Sequence, residues 1–398
     1  MKNKCLLQIF LLVRLCYNYS FEIEEDDGKI EKKRAIIRSD KHKWKFPIKY
    51  HFEWPINEWY LKKALGIIEK ETCVTFEHEN KNTTTGHRLN FVYSSYCGSR
   101  VGMISEEKPQ EIYLNFNCMY DTIRIQSVVF HALGLFNEQC RNDRDTFVTI
   151  HNNNIKDGFE SNFIIDNNSW STNYNISYDY GSAMHSLSNA FSKDKKRPTI
   201  TSKISPKYNM MMGQRDMVAF SDYKLVNLHY CNIINYGFYS RCINGGYEDP
   251  HDFNKCKCPH NFEGKRCNRL KKTRYRCGDQ YYIAKLYQKQ LFETWGAINC
   301  HYKILSRSDK IIGLKIIYVN AARGLLCHQQ NSIEIKHRKD KAVMGLCLCG
   351  NHNHPFHLIS EDNTVLVHFV GWGFWHKIKM YYSAVNNNET LESIRGIL

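Results

Sequence analysis

One stretch of the sequence has the residue spacing of a metal-binding helix. Residues 126–145 read QSVVFHALGLFNEQCRNDRD and contain a single histidine, His131, with Ser127 four residues before it and Asn137 six residues after it. Side chains four residues apart lie one above the other on a helix face, where two imidazoles can bind one zinc ion. Here the partners of His131 are a hydroxyl and an amide, whereas zinc prefers imidazole, thiolate or carboxylate ligands. The stretch therefore has the spacing of a zinc site but only one good ligand.

Other residues that could do chemistry lie in less suitable surroundings. The histidine-rich run NHNHPFH at residues 351–357 has no acidic or thiolate partner nearby in the sequence, and such compositional tracts are weak evidence for a metal site. We therefore interpret it as a surface loop. His185, beside Met184, is interpreted as a packed polar residue. Cys140 has no histidine or base arranged for it, so we interpret it as a buried or capped cysteine.

The first 34 residues have the composition of segments that are removed from a secreted protein. Residues 1–20 combine basic residues with an apolar run and then small or polar residues, which predicts a secretory signal peptide. Residues 21–34 are acidic and then basic, which predicts a pro-segment and a mature N-terminus at Ala35. The sixteen cysteines agree with an oxidising, extracellular compartment.

The net charge of +15 bears on the partners that we expect. In a secreted protein it favours acidic glycans or anionic surfaces over nucleic acid, although the basic run at residues 265–276 is typical of a solvated linker. After the signal, no run approaches the ~20 apolar residues of a membrane span, so none is predicted. Four sequons predict surface glycosylation: Asn82, Asn167, Asn175 and Asn388.

The elements that must position the helix favour a mixed α+β domain over residues 35–232. Residues 59–73 carry apolar side chains at helical spacing, and the segments CVTFEHE, RLNFVYSS and EIYLNF alternate like strands. Asp121 can cap a helix running from Thr122 to about Leu133, and Gly134 suits the position just past its end.

The remainder of the chain has two further compositions. Residues 242–267 are dense in cysteine and glycine and leave no room for an apolar core, which predicts a module built on disulfides. From Cys277 onward, short β-type runs such as IIGLKIIYV and VLVHFV recur between turn-like segments. This pattern is typical of an all-β sandwich.

These three blocks, in this order, resemble a secreted astacin metalloprotease followed by an EGF-like module and a CUB-like sandwich. The motifs that carry the resemblance are TCVTF, YCGSRVG, HALGLFNEQCRNDRD, YDYGSAMHS, PTITSK, MMGQRD and LVNLHYC, followed by CINGG and CKCPHNFEGKRC. The resemblance covers nearly the whole mature chain. It implies a two-lobed α+β peptidase domain over residues 35–232, a disulfide-rich EGF-like module over 233–268, an all-β CUB-like sandwich over 277–384 and a tail over 385–398.

The zinc motif of the family is HExxHxxGxxHE, and this sequence departs from it. The resemblance assigns the family's positions to seven residues here: Ser127, His131, Asn137 and Ser186 as ligand positions, Val128 as the general-base position, Gly134 as the turn glycine and Met184 as the Met-turn methionine. Of the ligand positions only His131 is retained. Valine cannot accept a proton, and water that is not bound to zinc keeps a pKa near ~15.7 instead of ~7. Zinc is the family's cofactor, but here the resemblance implies neither a bound zinc ion nor a catalytic residue.

Other family positions are kept. Glu138 stands where the family pairs a carboxylate with the buried mature N-terminus, which would be Ala35 here. Four residues match the family's structural charge network: Arg141, Asp143, Arg144 and Asp145. The family's Phe-x-Gly-Asp run, which blocks zinc before activation, is missing from residues 21–34. The chain therefore retains the residues expected to support the fold.

The resemblance also implies disulfide pairs, namely Cys73–Cys231, Cys97–Cys118, Cys242–Cys256, Cys258–Cys267 and Cys277–Cys300. The third pair of the EGF-like module is missing. Cys327 has two candidate partners, Cys347 and Cys349, so Cys140 and one of these two are left over.

Three functional hypotheses follow. The first is a secreted pseudoprotease that binds extracellular proteins or acidic glycans, with an exposed edge strand, GSRVGMI or EIYLNF, that could pair with an extended peptide. The second is a zinc metalloendopeptidase that retains proteolysis through an altered site. The third is a non-functional gene product that folds poorly, against which the intact cysteine pairs argue.

Overall fold

The structure, a computed structural model, describes residues 36–398 except residues 38, 81–84, 166–170, 232–240 and 274. The predicted signal peptide, the pro-segment and Ala35 lie outside the described residues, as do the sequons at Asn82 and Asn167. The sequons at Asn175 and Asn388 are described and both asparagines are exposed. Within the described ranges, no helix combines the length and apolarity that are needed to cross a membrane.

A parallel four-stranded sheet organises the N-terminal region. In chain order, its elements are β1 (Ile36–Ile37), β2 (Ile48–Phe52), α1 (Glu58–Glu71), β3 (Phe76–His78), β4 (Leu89–Tyr93), β5 (Gln110–Leu114), α2 (Phe116–Met119), α3 (Thr122–Ala132), β6 (Val148–Ile150), β7 (Ser171–Thr172), β8 (Ile200–Ser202) and α4 (Phe220–Tyr230). The sheet has the order β3-β2-β4-β5, while β1 pairs with β7 and β6 with β8. The three segments expected to alternate as strands contribute β3, β4 and β5.

The outer edge of the sheet differs from the expectation. The segment GSRVGMI was expected to be a possible edge strand, but it pairs with β5 only at Gly98, whose backbone exchanges two hydrogen bonds with Tyr113. β5 itself is a regular strand. Of the two candidates for binding an extended peptide, EIYLNF is therefore the one in strand conformation.

Local signals account for two of the three long helices of this region, α1 and α3. Asn57 caps α1 by accepting a hydrogen bond from the Tyr60 amide at 3.2 Å, and α1 buries four residues of one face: Leu61, Ala64, Leu65 and Ile68. Asp121 caps α3 through bonds to the amides of Ile123 (2.9 Å) and Arg124 (3.1 Å). Such caps satisfy amides that have no partner within the helix.

The end of α3 requires a glycine. Gly134 follows the helix with a φ of 101°, a left-handed conformation that costs glycine little and other residues more. Its carbonyl accepts a hydrogen bond from the Ile37 amide at 3.0 Å. The turn therefore brings the chain after α3 back beside β1.

Two short hairpins and two disulfides make up the middle of the chain. β9 (Tyr247–Glu248) pairs with β10 (Cys256–Lys257), and β11 (Phe262–Glu263) pairs with β12 (Arg269–Leu270). The bridges are Cys242–Cys256 and Cys258–Cys267. The two hairpins and their bridges form the disulfide module. The small apolar cluster of this module includes Leu366 from the C-terminal region, so the module packs against that region.

Two five-stranded sheets form the C-terminal region. Its elements are β13 (Tyr281–Ile283), β14 (Gln290–Trp295), β15 (Asn299–Leu305), β16 (Lys310–Asn320), β17 (Ile333–Lys336), β18 (Leu346–Leu348), β19 (Asn351–His352), β20 (Phe356–Ile359), β21 (Thr364–Val370), β22 (Lys377–Asn386) and α5 (Leu391–Ile397). One sheet has the order β13-β15-β21-β17-β18; the other has the order β14-β22-β16-β19, with β20 also paired to β16. Residues 385–398, expected to be a tail, instead complete β22 and form α5. Ile394 of α5 is fully buried.

The C-terminal region packs directly on the N-terminal one. The loop between β17 and β18 donates the Met344 amide to Asp179 Oδ2 at 3.0 Å, and the Ser177 amide donates to Asp340 Oδ2 at 3.0 Å. Apolar residues of both regions belong to one buried cluster. The two regions therefore share hydrogen bonds and part of one apolar core.

Candidate functional site

Helix α3 presents Ser127 and Val128 in ways that do not suit metal chemistry. The Ser127 hydroxyl donates a hydrogen bond to the carbonyl of Arg124 within the helix, at 2.9 Å. Val128 is 5 % exposed and belongs to the apolar core formed with the four-stranded sheet. The Ser127 hydroxyl is therefore used in a hydrogen bond within α3, and the Val128 side chain is part of the apolar core.

His131 lies one turn after Ser127 and uses one ring nitrogen for the fold. Its Nδ1 lies 2.8 Å from the carbonyl oxygen of Leu135; because that oxygen can only accept, Nδ1 carries the proton. Burial lowers the pKa of the imidazole, and the nearby Arg215 guanidinium lowers it further. Hydrogen bonds to the Leu135 carbonyl and the Asn137 side chain act in the opposite direction. His131 is thus a neutral imidazole whose Nε2 carries the lone pair.

The segment that carries Asn137 runs beside the turn at Met184. The Glu138 amide donates to the Met184 carbonyl at 3.1 Å, and the Ser186 amide donates to Gln139 Oε1 at 3.0 Å. Met184 is 3 % exposed and packs in the same core as α3. The structure therefore brings His131 and Asn137 into contact and fixes the Met184–Ser186 turn against the residues that follow Asn137.

His185 is close to this site but has no lone pair to offer. Its Nδ1 donates to the Ser186 carbonyl at 2.7 Å, and its Nε2 accepts from the Tyr178 hydroxyl at 2.7 Å. Burial lowers the pKa of His185 to about 4. Both nitrogens are engaged, so the side chain is packed and polar and does not replace a lost metal ligand.

The residues present do not fit a zinc ion. Zinc needs three or four imidazole, thiolate or carboxylate ligands, and here His131 is the only such group among the four expected ligand positions. The hydroxyl of Ser127 is already used by its own helix, and an amide oxygen is a weak zinc ligand. No carboxylate takes the place of the general base, because that position is the buried Val128.

Comparison with known proteins places this arrangement in a family. The family model for astacin, a family of peptidases, matches residues 36–231, which include α3, the turn at Met184 and all seven assigned positions. Residues 36–231 of this chain belong to the astacin family. The scaffold described above is thus an astacin domain, and of the four residues that the sequence resemblance assigns to ligand positions only His131 is a usual zinc ligand.

Several proteins that are similar to this chain are zinc metalloproteinases of nematodes. The chain is 30% identical over 346 residues to zinc metalloproteinase nas-34 of Caenorhabditis elegans, covering 86% of this chain and 56% of that protein. It is 32% identical over 342 residues to nas-30 of the same species, covering 84% and 44%, and 33% identical over 337 residues to nas-36 of Brugia malayi, covering 81% and 56%. The chain spans about half the length of these relatives. Among solved structures, the hatching enzyme zinc-protease High choriolytic enzyme 1 of Oryzias latipes (medaka fish) is 29% identical, with a TM-score of 0.44, covering 50% of this chain and 98% of that one.

A buried charge network supports the astacin domain behind the site. Arg141 is 2 % exposed and binds Asp143 through two nitrogens, at 2.8 and 2.7 Å, and Glu138 Oε1 at 3.0 Å. Glu138 also accepts a hydrogen bond from the Asp179 amide at 2.8 Å. Burial raises the pKa of Glu138 to about 7, against the influence of Arg141. Its expected partner, Ala35, lies outside the described residues; within them Glu138 is paired with Arg141.

Two carboxylates of this network were not identified from the sequence. Asp179 accepts hydrogen bonds from the Ser221 hydroxyl and from the amides of Gly181 and Met344. Asp222 accepts from the Ser182 hydroxyl and the amides of Ala183 and Ala219. The motif YDYGSAMHS contains Asp179, but two of its three partners, Ser221 and Met344, are 42 and 165 residues away, and no local pattern identifies them.

The disulfides tie the astacin domain and resolve one open pairing. The domain contains Cys73–Cys231 and Cys97–Cys118, and the C-terminal region contains Cys277–Cys300 and Cys327–Cys349. Cys347 is fully buried and not bridged, and burial raises the pKa of its thiol. Cys140 is also not bridged to another described residue; its Sγ donates to the Asn162 carbonyl at 3.3 Å.

Proposed function

We propose that this chain is a secreted, catalytically silent astacin homologue that acts by binding extracellular proteins or acidic glycans. The single observation that carries the proposal is the burial of Val128 in the apolar core between α3 and the four-stranded sheet. Val128 lies one turn before His131, the one imidazole among the assigned ligand positions. A peptidase of this class needs a base that can deprotonate a metal-bound water. Neither the base nor a set of good ligands is available at the positions that the family uses.

Three features of the chain support a binding role. The edge strand β5 could pair with an extended peptide by main-chain hydrogen bonds, except at Tyr113, whose amide and carbonyl are bonded to Gly98. The loop after β21 exposes three large aromatic side chains, with Trp372 70 %, Phe374 80 % and Trp375 69 % exposed, and exposed apolar groups of this kind mark interaction surfaces. The net charge of +15 favours acidic partners.

The rest of the chain would serve the same role. We assign residues 233–268 to an EGF-like module and residues 277–384 to a CUB-like sandwich, on the basis of the disulfide-linked hairpins and the two five-stranded sheets. Exposed Asn175 and Asn388 would carry glycans in a secreted protein. The bridges of the whole chain suit an oxidising compartment.

Purified mature protein tests the proposal directly. Fluorogenic peptides and gelatin should not be cleaved with or without added zinc, and a His131→Ala variant should behave in the same way. Cleavage by the unmodified chain that chelators abolish and that His131→Ala loses would establish the alternative, a metalloendopeptidase with an altered site. Retention on heparin that falls with rising salt would support an acidic glycan as partner, whereas no retention would favour protein partners.

A further inference from the structure

Three histidines from two parts of the chain meet at the junction between the disulfide module and the C-terminal sandwich. His301 on β15 and His368 on β21 are register partners on adjacent strands, and their rings stack with centroids 4.2 Å apart. His260, from the loop between β10 and β11, places its ring centroid 4.5 Å from that of His368 and 5.5 Å from that of His301. The three side chains therefore form one cluster, here called the histidine junction.

The register of the sandwich explains why the histidine junction faces the module. Side chains alternate along a strand, so Leu366 and His368 of β21 point to the same face. Leu366 belongs to the apolar cluster of the module, with Phe262 and Leu270. His301 points to that face as well, because directly paired residues of neighbouring strands share a face.

Each of the three imidazoles has a buried nitrogen without a hydrogen-bond partner. These atoms are His260 Nε2, His301 Nδ1 and His368 Nδ1. His301 is 4 % and His368 1 % exposed. Buried polar atoms in folded proteins are nearly always paired with protein or water, so three such nitrogens in one cluster point to a ligand that they share.

The other nitrogen of His368 is held as it would be in a metal ligand. His368 Nε2 lies 2.9 Å from Asn299 Oδ1; because an amide oxygen only accepts, Nε2 carries the proton and Nδ1 carries the lone pair. The carbonyl of Gln329 also approaches this imidazole. Metal-binding histidines typically donate their second N–H to an oxygen in this way, which fixes both tautomer and ring orientation.

The charge state of the junction agrees with metal binding. Burial lowers the pKa of all three histidines, that of His301 to about 2, so the rings are neutral at physiological pH. Metal ions bind the neutral imidazole. The positive charge of Lys271 adds to the lowering of all three pKa values, and that of Lys336 adds to the lowering for His260 and His368. Both charges would oppose a bound cation.

A buried carboxylate offsets these cations. Glu334 on β17 is the register partner of His368 and is fully buried. Its Oε1 accepts from Gln329 Nε2 and the Gly345 amide, whereas its Oε2 has no partner. Burial opposes its ionisation, but the positive charge of Lys336 and the hydrogen bonds from Gln329 and Gly345 hold its pKa below the usual range. A negative charge thus lies one strand away from the histidines.

We propose that His260, His301 and His368 bind one divalent transition-metal ion, for which Zn²⁺ is the best match, and that this ion joins the disulfide module to the sandwich. One ring nitrogen of each histidine lies within 4.8 Å of the others. With Zn–N bonds of ~2.0–2.1 Å, tetrahedral ligands are separated by about 3.3 Å, so the stacked rings of His301 and His368 must turn towards a common point. Glu334 is outside the three-histidine group and supplies compensating charge.

Zinc binding by the mature full-length chain tests the proposal. Metal-stripped protein is titrated with Zn²⁺ in competition with a chromogenic chelator, and Co²⁺ is used to record ligand-field absorption. We expect one Zn²⁺ per chain and a higher melting temperature with zinc. His260→Ala, at a partly exposed position of the module, should weaken binding more than about 100-fold, since even loss of an outer hydrogen-bond partner costs 10–100-fold.

Two control variants separate the histidine junction from other histidines. His354→Ala removes an exposed histidine outside the cluster, and His131→Ala removes the histidine of α3; both should bind zinc as the unmodified chain does. No binding by the unmodified chain, or equal binding by His260→Ala, would overturn the proposal. Binding lost in His131→Ala but kept in His260→Ala would place the ion in the astacin domain and contradict the proposed function instead.

Discussion

Replacing Val128 by glutamate tests whether position 128 is core or catalytic cleft. In the structure Val128 is 5 % exposed and surrounded by the apolar core of α3 and the sheet. A carboxyl group placed there loses its hydration, so its pKa should rise by several units. The matched control is Val128→Gln, because glutamine has nearly the same shape as glutamate but carries no ionisable group.

The size of the effect follows from the cost of keeping the introduced carboxyl protonated. In an unfolded chain glutamate titrates near ~4.3, and one pKa unit corresponds to ~1.36 kcal/mol. At pH 7 the glutamate variant should therefore be less stable than the glutamine variant by up to about 3.7 kcal/mol, and at pH 5 by about 1 kcal/mol. The pKa of the introduced carboxyl is higher in the folded chain than in the unfolded chain. The glutamate variant therefore keeps its full stability below the unfolded-state pKa and loses stability as pH rises through the folded-state pKa.

Urea unfolding of both variants, followed by tryptophan fluorescence between pH 4.5 and 7.5, measures this difference. A gap that widens with pH supports a core position. Equal stability of the two variants over the whole range would show that the carboxyl reaches water, so that position 128 opens into the cleft as a catalytic base must. That result would refute the argument from burial on which the proposed function rests.

Three further outcomes are expected. A fourfold variant in a His260→Ala background restores the family residues by Ser127→His, Val128→Glu, Asn137→His and Ser186→Tyr. Elemental analysis of this variant should find one zinc ion per chain. Val128→Glu alone should restore neither zinc binding nor proteolysis, because a base without a metal has no activated water to deprotonate. A folded fourfold variant that binds no zinc would show that the residues orienting the ligands have also changed. Gly181→Ala would place a Cβ 2.5 Å from Met344 Sδ and should lower the free energy of unfolding by about 1–3 kcal/mol. In a double-mutant cycle, additive effects of Gly181→Ala and Met344→Ala would contradict the contact between the N-terminal and C-terminal regions. Ellman's reagent should count two thiols per mature chain after denaturation, from Cys140 and Cys347, and the buried Cys347 should not react before unfolding; more than two would contradict the assigned disulfides.

The elements predicted from the sequence are those whose signals lie within a few residues. Helix α3 is an example, since its cap at Asp121 and its terminating Gly134 stand next to the residues that they control. The resemblance supplied the pairing Cys73–Cys231, whose members are 158 residues apart. Neither the local sequence signals nor the resemblance predicted that Cys327 pairs with Cys349 and not with Cys347, because this pairing depends on the register of the C-terminal strands.

The histidine junction shows the same limit more clearly. His260, His301 and His368 are spread over more than a hundred residues and stand in three different sequence contexts. The histidine-rich run at residues 351–357 has the stronger local pattern, yet its member His354 is exposed and does not belong to the cluster. What makes the cluster is the pairing of β15 with β21 and the packing of the disulfide module on that face, and no local sequence pattern encodes either.

The contacts around Met184 join the parts of the astacin domain that a zinc ion at the family's ligand positions would also hold together. A zinc ion would hold α3, the segment after it and the Met184 turn together through its ligands. In this chain direct hydrogen bonds join the same parts, from the Glu138 amide to Met184 and from the Ser186 amide to Gln139. The sandwich adds a second support, because Asp179, just before the turn, accepts the amide of Met344 from the loop between β17 and β18. Under the proposed function, the loss of zinc ligands removes the chemistry of the site, and these hydrogen bonds keep the surrounding segments joined.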